Sequence, residues 1–172
     1  SHQDELLLAT VKVALPPPGI APADLPDPHS RGAEVLNGYC TQCHALPSPA
    51  MHAASDWPGV VRRMWLRVER LPASEHVEAA SIGDRVTLLN YLMANALKVS
   101  GTTLPAGAGR ETYSFYCSRC HALPDPKVHA AQDWQAVVMR MERNIERMNV
   151  TPMPADTLGR ILEYLQGPAA GR

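Results

Sequence analysis

Apolar positions along this 172-residue chain fall into helical spacing three times, and the same three patterns then recur in the second half. The clearest is the middle one, where Trp57, Val60, Val61, Met64 and Val68 stand at i, i+3, i+4, i+7 and i+11, one face of a helix. Trp134, Val137, Val138, Met141 and Ile145 repeat that face. Upstream, "RGAEVLNGY" begins at Arg31 with Ser30 as candidate N-cap, and "GAGRETYSFY" answers it. Downstream, "DRVTLLNYLMANAL" and "DTLGRILEYLQ" predict a closing helix in each half, with Tyr91-Leu92 matching Tyr164-Leu165. Asp56 and Asp133 precede the tryptophans as candidate N-caps or first-turn acids. Alternating, strand-like patterns are nearly absent, so the predicted class is all-α.

The repetition sets the organisation. Residues 1–30 form a proline-rich arm, 31–98 a first helical domain, 99–109 a glycine- and proline-containing linker, and 110–172 a second domain. The arm contains "LPPPGIAPADLPDPHS", which proline keeps from forming a continuous helix. Its apolar run "LLLATVKVAL" is too short to span a bilayer and contains Lys12. It reads as a packed helix or strand, or as the trace of a removed export signal or anchor. The closing helices match at an offset of 73 while everything before them matches at 77, so the second connecting loop is four residues shorter.

Units of about 65 to 75 residues have marginal apolar cores and usually need a staple or a cofactor. Large core-filling side chains are scarce here, with Phe115 the single phenylalanine, and a bound apolar group would fill the deficit. Sixteen basic against seventeen acidic residues exclude the strong basic excess of a nucleic-acid binder. No Ser/His/Asp constellation or phosphate-binding glycine loop is present.

All four cysteines lie in two Cys-x-x-Cys pairs, each directly followed by histidine: Cys40-Thr41-Gln42-Cys43-His44 and Cys117-Ser118-Arg119-Cys120-His121. This is the pattern of c-type haem attachment. Two thiols one turn apart can each add to a vinyl group on one porphyrin, and the next residue's imidazole then falls under the iron. Cys40, Cys43 and His44 would hold one haem; Cys117, Cys120 and His121 would hold another. A redox dithiol or a zinc site is the alternative use of such pairs.

The pentapeptides sit inside a longer duplicated phrase, "YCTQCHALPSPAMHAASDWPGVVRRM" and "YCSRCHALPDPKVHAAQDWQAVVMRM". With the helical order and the closing "YL" helices, this part of the chain, roughly 31–166, resembles the class I cytochromes c, and more narrowly the two-haem cytochromes built from tandem cytochrome c domains. The resemblance implies two small helical domains, each wrapped around one covalently attached haem c. It also implies an exported, periplasmic carrier, membrane-associated if an anchor was removed, which passes single electrons between donor and acceptor redox proteins and is not an enzyme. Its rivals are an electron-transfer subunit of a larger oxidoreductase and a small dihaem peroxidase with one open iron.

The sixth iron ligand separates these readings, because a methionine thioether raises the potential and closes the site. Met64 and Met141 each follow the proximal histidine by twenty residues and close the duplicated phrase. Met153, in "TPMPADTLGRILEYL", resembles the methionine loop of many class I cytochromes c, and its counterpart at the same offset is His76. His52 and His129, eight residues past the proximal histidines, have too short a tether to reach the opposite porphyrin face readily, and read as groups that cap the next helix or bond a propionate or backbone group. Arg63 and Arg140 are candidate propionate partners.

Overall fold

The computed structural model describes residues 18–101 and 103–170. Six α-helices carry most of the regular structure: α1 (Arg31–Cys40), α2 (Trp57–Arg70), α3 (Ile82–Ala94), α4 (Arg110–Cys117), α5 (Trp134–Arg147) and α6 (Ala155–Gln166). Among the described residues β-pairing occurs only as isolated bridges, such as Ala53 with Leu97 and Val99 with Pro124, so the class is all-α as expected. The apolar run of residues 6–15 lies outside the described residues.

Helix starts follow local chemistry, with one correction. Ser30 is extended and its Oγ accepts from the Ala33 amide at 3.3 Å, an N-cap as expected. Ser81 caps α3 in the same way, accepting from the Asp84 amide at 3.1 Å while donating to that residue's carboxylate. Asp56 and Asp133 occupy the N-cap positions of α2 and α5, but neither side chain makes a capping hydrogen bond. Both already have helical backbone angles, whereas a capping side chain needs the extended conformation to turn back onto the first amides.

The chain forms two compact bodies. One comprises residues 19–101 with 117–125, and the other residues 103–116 with 126–170. In the first body α1 packs on α3, where Gly32 lies under the ring of Tyr91. Leu25, Val35, Leu36, Trp57, Val61, Leu88 and Leu92 form the core around that crossing. Tyr91 Oη donates to the Pro26 carbonyl at 2.6 Å, which pins the proline-rich segment to α3.

The second body repeats the glycine–tyrosine contact. Gly109 faces Tyr164, whose Oη donates to the Pro105 carbonyl at 2.8 Å, and Tyr164 lies 5.7 Å from Tyr113 between ring centroids. Tyr113, Trp134, Val138, Ile161 and Leu165 are buried. Phe115 is not; it is 66% exposed, so the one phenylalanine adds nothing to an already small core.

The four-residue difference between the loops has a visible source. The loop after α2 contains a 3₁₀ turn, Ala73–Glu75, that leads into His76 with φ 51°. The loop after α5 reaches its left-handed residue, Asn149 with φ 53°, directly at the helix end. His76 and Asn149 are therefore spaced like Tyr91 and Tyr164, and Met153 lies four residues beyond the position that matches His76.

Candidate functional site

Each pentapeptide is built by the end of a helix. Cys40 is the last residue of α1, half-buried against the first core, and Cys43 is exposed on the turn that follows. Cys117 likewise ends α4 half-buried, and Cys120 is exposed. None of the four is in a disulfide. Burial pushes the Cys40 thiol up to about 11, with the neighbouring Cys43 acting in the same sense, and pushes Cys117 up to about 12. Among the described residues no three His, Cys, Asp or Glu side chains group to hold a metal ion.

The histidines are prepared identically. His44 Nδ1 lies 2.8 Å from the Ala45 carbonyl, and His121 Nδ1 lies 2.9 Å from the Ala122 carbonyl. A carbonyl oxygen can only accept, so Nδ1 carries the proton and Nε2 presents its lone pair. Such a bond fixes both tautomer and ring orientation in metal-ligating histidines. His44 is exposed and His121 half-buried. The backbone acceptor escapes sequence reasoning because any residue supplies a carbonyl; the repeated "HALP" was its one trace.

Downstream of each pentapeptide the duplicated phrase makes a duplicated wall. Trp57 Nε1 donates to the Pro49 carbonyl at 2.9 Å, and Trp134 Nε1 to the Pro126 carbonyl at 3.1 Å. The imidazoles of His52 and His129 stand edge-on to these indoles, each with centroids 4.9 Å apart. Burial holds the His52 imidazole below its ordinary range; Asp56 opposes this, and His121 and Arg63 reinforce it. These histidines therefore pack on the wall.

Burial then falls away along α2 and α5 in parallel. Trp57 and Val61 are buried, but Val60, Met64 and Val68 are only half-covered; Trp134 and Val138 are buried, while Val137, Met141 and Ile145 are half-covered. Each helix thus carries an apolar stripe that its own body covers incompletely. Met64 Sδ accepts from Arg67 Nη1 at 3.8 Å, and Met141 Sδ from Asn144 Nδ2 at 3.9 Å, a pair of donors the sequence reading passed over. Met153 is half-buried in the extended segment before α6, and His76 is exposed. Arg63 and Arg140 are exposed on α2 and α5.

The segment read as a linker is partly structural. The Ser100 amide donates to the Leu123 carbonyl at 3.0 Å, the Asp125 amide donates to the Lys98 carbonyl at 3.0 Å, and the Leu97 amide donates to the His52 carbonyl at 2.9 Å. The first two of these bonds tie the chain just after the second pentapeptide into the first body.

No helix among the described residues is long and apolar enough to cross a membrane. No family model matches the chain, and no curated protein or solved structure matches it.

Proposed function

We propose that the chain is a dihaem c-type cytochrome that carries single electrons between redox partner proteins outside the cytoplasm. The observation that carries this reading is the double construction of one attachment geometry: a helix ending on the first cysteine, an exposed second cysteine, and a histidine whose Nδ1 is tied to the next carbonyl so that Nε2 is free to ligate.

The donor set fits haem c. Cys40 and Cys43 tether one macrocycle with His44 as its proximal ligand; Cys117 and Cys120 tether the other with His121. A soft thioether is the expected distal ligand, supplied by Met64 for the first haem and Met141 for the second by their matching places in the repeat. Met153 and His76 are the competing donors. The incompletely covered stripes on α2 and α5 supply apolar surface of the kind a porphyrin face needs, which also answers how units this small complete their cores. When bound, haem supplies the one-electron redox chemistry, and the protein supplies ligation and a low-dielectric setting.

Intact mass analysis of matured protein tests the reading. Two haem masses retained through denaturation are expected, with cysteine-to-serine changes in one pentapeptide removing one. An unmodified polypeptide, or zinc in place of iron, overturns it.

A further inference from the structure

The two copies of the methionine-bearing helix share one apolar stripe and differ in charge. On α2 the donor to Met64 Sδ is the cationic guanidinium of Arg67; on α5 the donor to Met141 Sδ is the neutral amide of Asn144. Both donors stand at i+3, at 3.8 and 3.9 Å, so geometry is matched and charge is the variable. The rest of each helix widens the difference. α2 carries Arg62, Arg63, Arg67 and Arg70 against Glu69, a formal charge of +3, whereas α5 carries Arg140, Arg143 and Arg147 against Glu142 and Glu146, a formal charge of +1. Glu142, next to Met141, takes the place of Trp65, next to Met64.

Resting on the proposed haem ligation, we infer that Arg67 and Asn144 set the two haems apart in potential, making the haem tethered at Cys40 and Cys43 the first to be reduced. A thioether sulfur has two lone pairs, so a methionine that ligates iron keeps one for a side-chain donor. Reduction adds one negative charge to the centre, and a fixed positive charge near its axial ligand favours that state more than a neutral amide does. Arg67 is exposed, so solvent screens part of this effect. A tenfold difference in the one-electron reduction equilibrium, about 59 mV, is the expected scale. Arg67 and Asn144 act through the methionines and are positioning residues.

The test is spectroelectrochemical titration of the mature dihaem protein, with Met64→Ala used to identify the wave of the first haem. The higher-potential wave should be the one that Met64→Ala moves. Arg67→Asn should lower that wave by about tenfold in equilibrium constant and leave the other in place, Arg67→Lys should retain most of the separation, and Asn144→Arg should raise the lower wave. The ferric methionine–iron charge-transfer band, recorded for each variant, checks that ligation is intact. Two methionine-ligated haems whose waves ignore Arg67→Asn overturn this assignment alone. Protein matured without covalent haem overturns the parent reading and this assignment with it, and loss of the methionine band in wild type overturns the assignment while leaving attachment in place.

Discussion

Gly32 lies so close beneath Tyr91 that a Cβ on it would stand 2.5 Å from the tyrosine ring. Gly109 stands in the same relation to Tyr164, with a Cβ 2.9 Å from that residue's own Cβ and 2.5 Å from the Arg160 carbonyl oxygen. Each contact is therefore set by the absence of one methyl group. Gly32→Ala should destabilise the protein by about 1–3 kcal/mol through overpacking. Gly109→Ala should cost more, because its φ of +89° also disfavours a side chain. Gly38, in α1 with nothing within 4 Å of its Cβ position, is the control, and Gly38→Ala should stabilise by about 0.5–1 kcal/mol. Thermal melts of the three variants decide; equal effects at all three would remove the steric explanation.

The indole bonds invite a matched pair of substitutions. Trp57→Phe removes the donor to the Pro49 carbonyl, and Trp134→Phe the donor to Pro126, both in buried surroundings. Leaving a buried carbonyl unpaired should cost about 1–3 kcal/mol in addition to lost packing. Denaturant midpoints measure this. A loss no larger than that of an exposed control such as Phe115→Leu would count against the wall.

Asp84 gathers Tyr39 Oη at 3.0 Å, Arg31 Nη2 at 2.7 Å and Ser81 Oγ at 3.1 Å, joining α1 to the start of α3. The Tyr39 hydrogen bond first, then Arg31 and Ser81, hold its carboxyl below the ordinary value of 3.8. With the folded value depressed, its stabilisation is present above the unfolded value and is lost as pH falls through the folded one. Melting temperature should therefore drop on acidification more steeply in wild type than in Asp84→Asn. Parallel acid profiles would show that Asp84 contributes nothing. In the second body the matching residue is the buried Thr157, so no equivalent acid sensitivity is expected there.

The proposed distal ligation can be tested with carbon monoxide. Met64→Ala and Met141→Ala should each open one iron, so that the reduced variant binds about one equivalent of carbon monoxide while wild type resists it, and each should lower one potential. Met153→Ala should leave both sites closed. If it instead is the variant that opens the second haem, the ligand is in the extended segment before α6 and Met141 is a core residue.

Periodicity located all six helices because the fold buries one stripe of each, and that stripe is what the spacing of Trp57, Val61, Trp134 and Val138 records. The pentapeptides were legible for a different reason: the proposed haem attachment would need particular atoms at a particular spacing. Interactions made through the backbone left no such mark. The Ala45 and Ala122 carbonyls that orient the histidines, and the pairing of Lys98 and Ser100 with Leu123 and Asp125, depend on no side-chain identity. The acids before the tryptophans misled because composition shows that an aspartate is available for capping, whereas the backbone angle at Asp56 and Asp133 decides whether it can be used.

The pairing of residues 98–100 with 123–125 means that the two copies of the repeat are no longer spare parts for one another. A fragment ending at Gly101 would lose the segment that bonds to its residues 98–100, and a fragment starting there would carry a cysteine pair cut away from the scaffold on which it rests. Dissecting the protein into halves thus breaks the first half as surely as the second, and a cut beyond Asp125 fares no better, because residues 103–116 belong with 126–170.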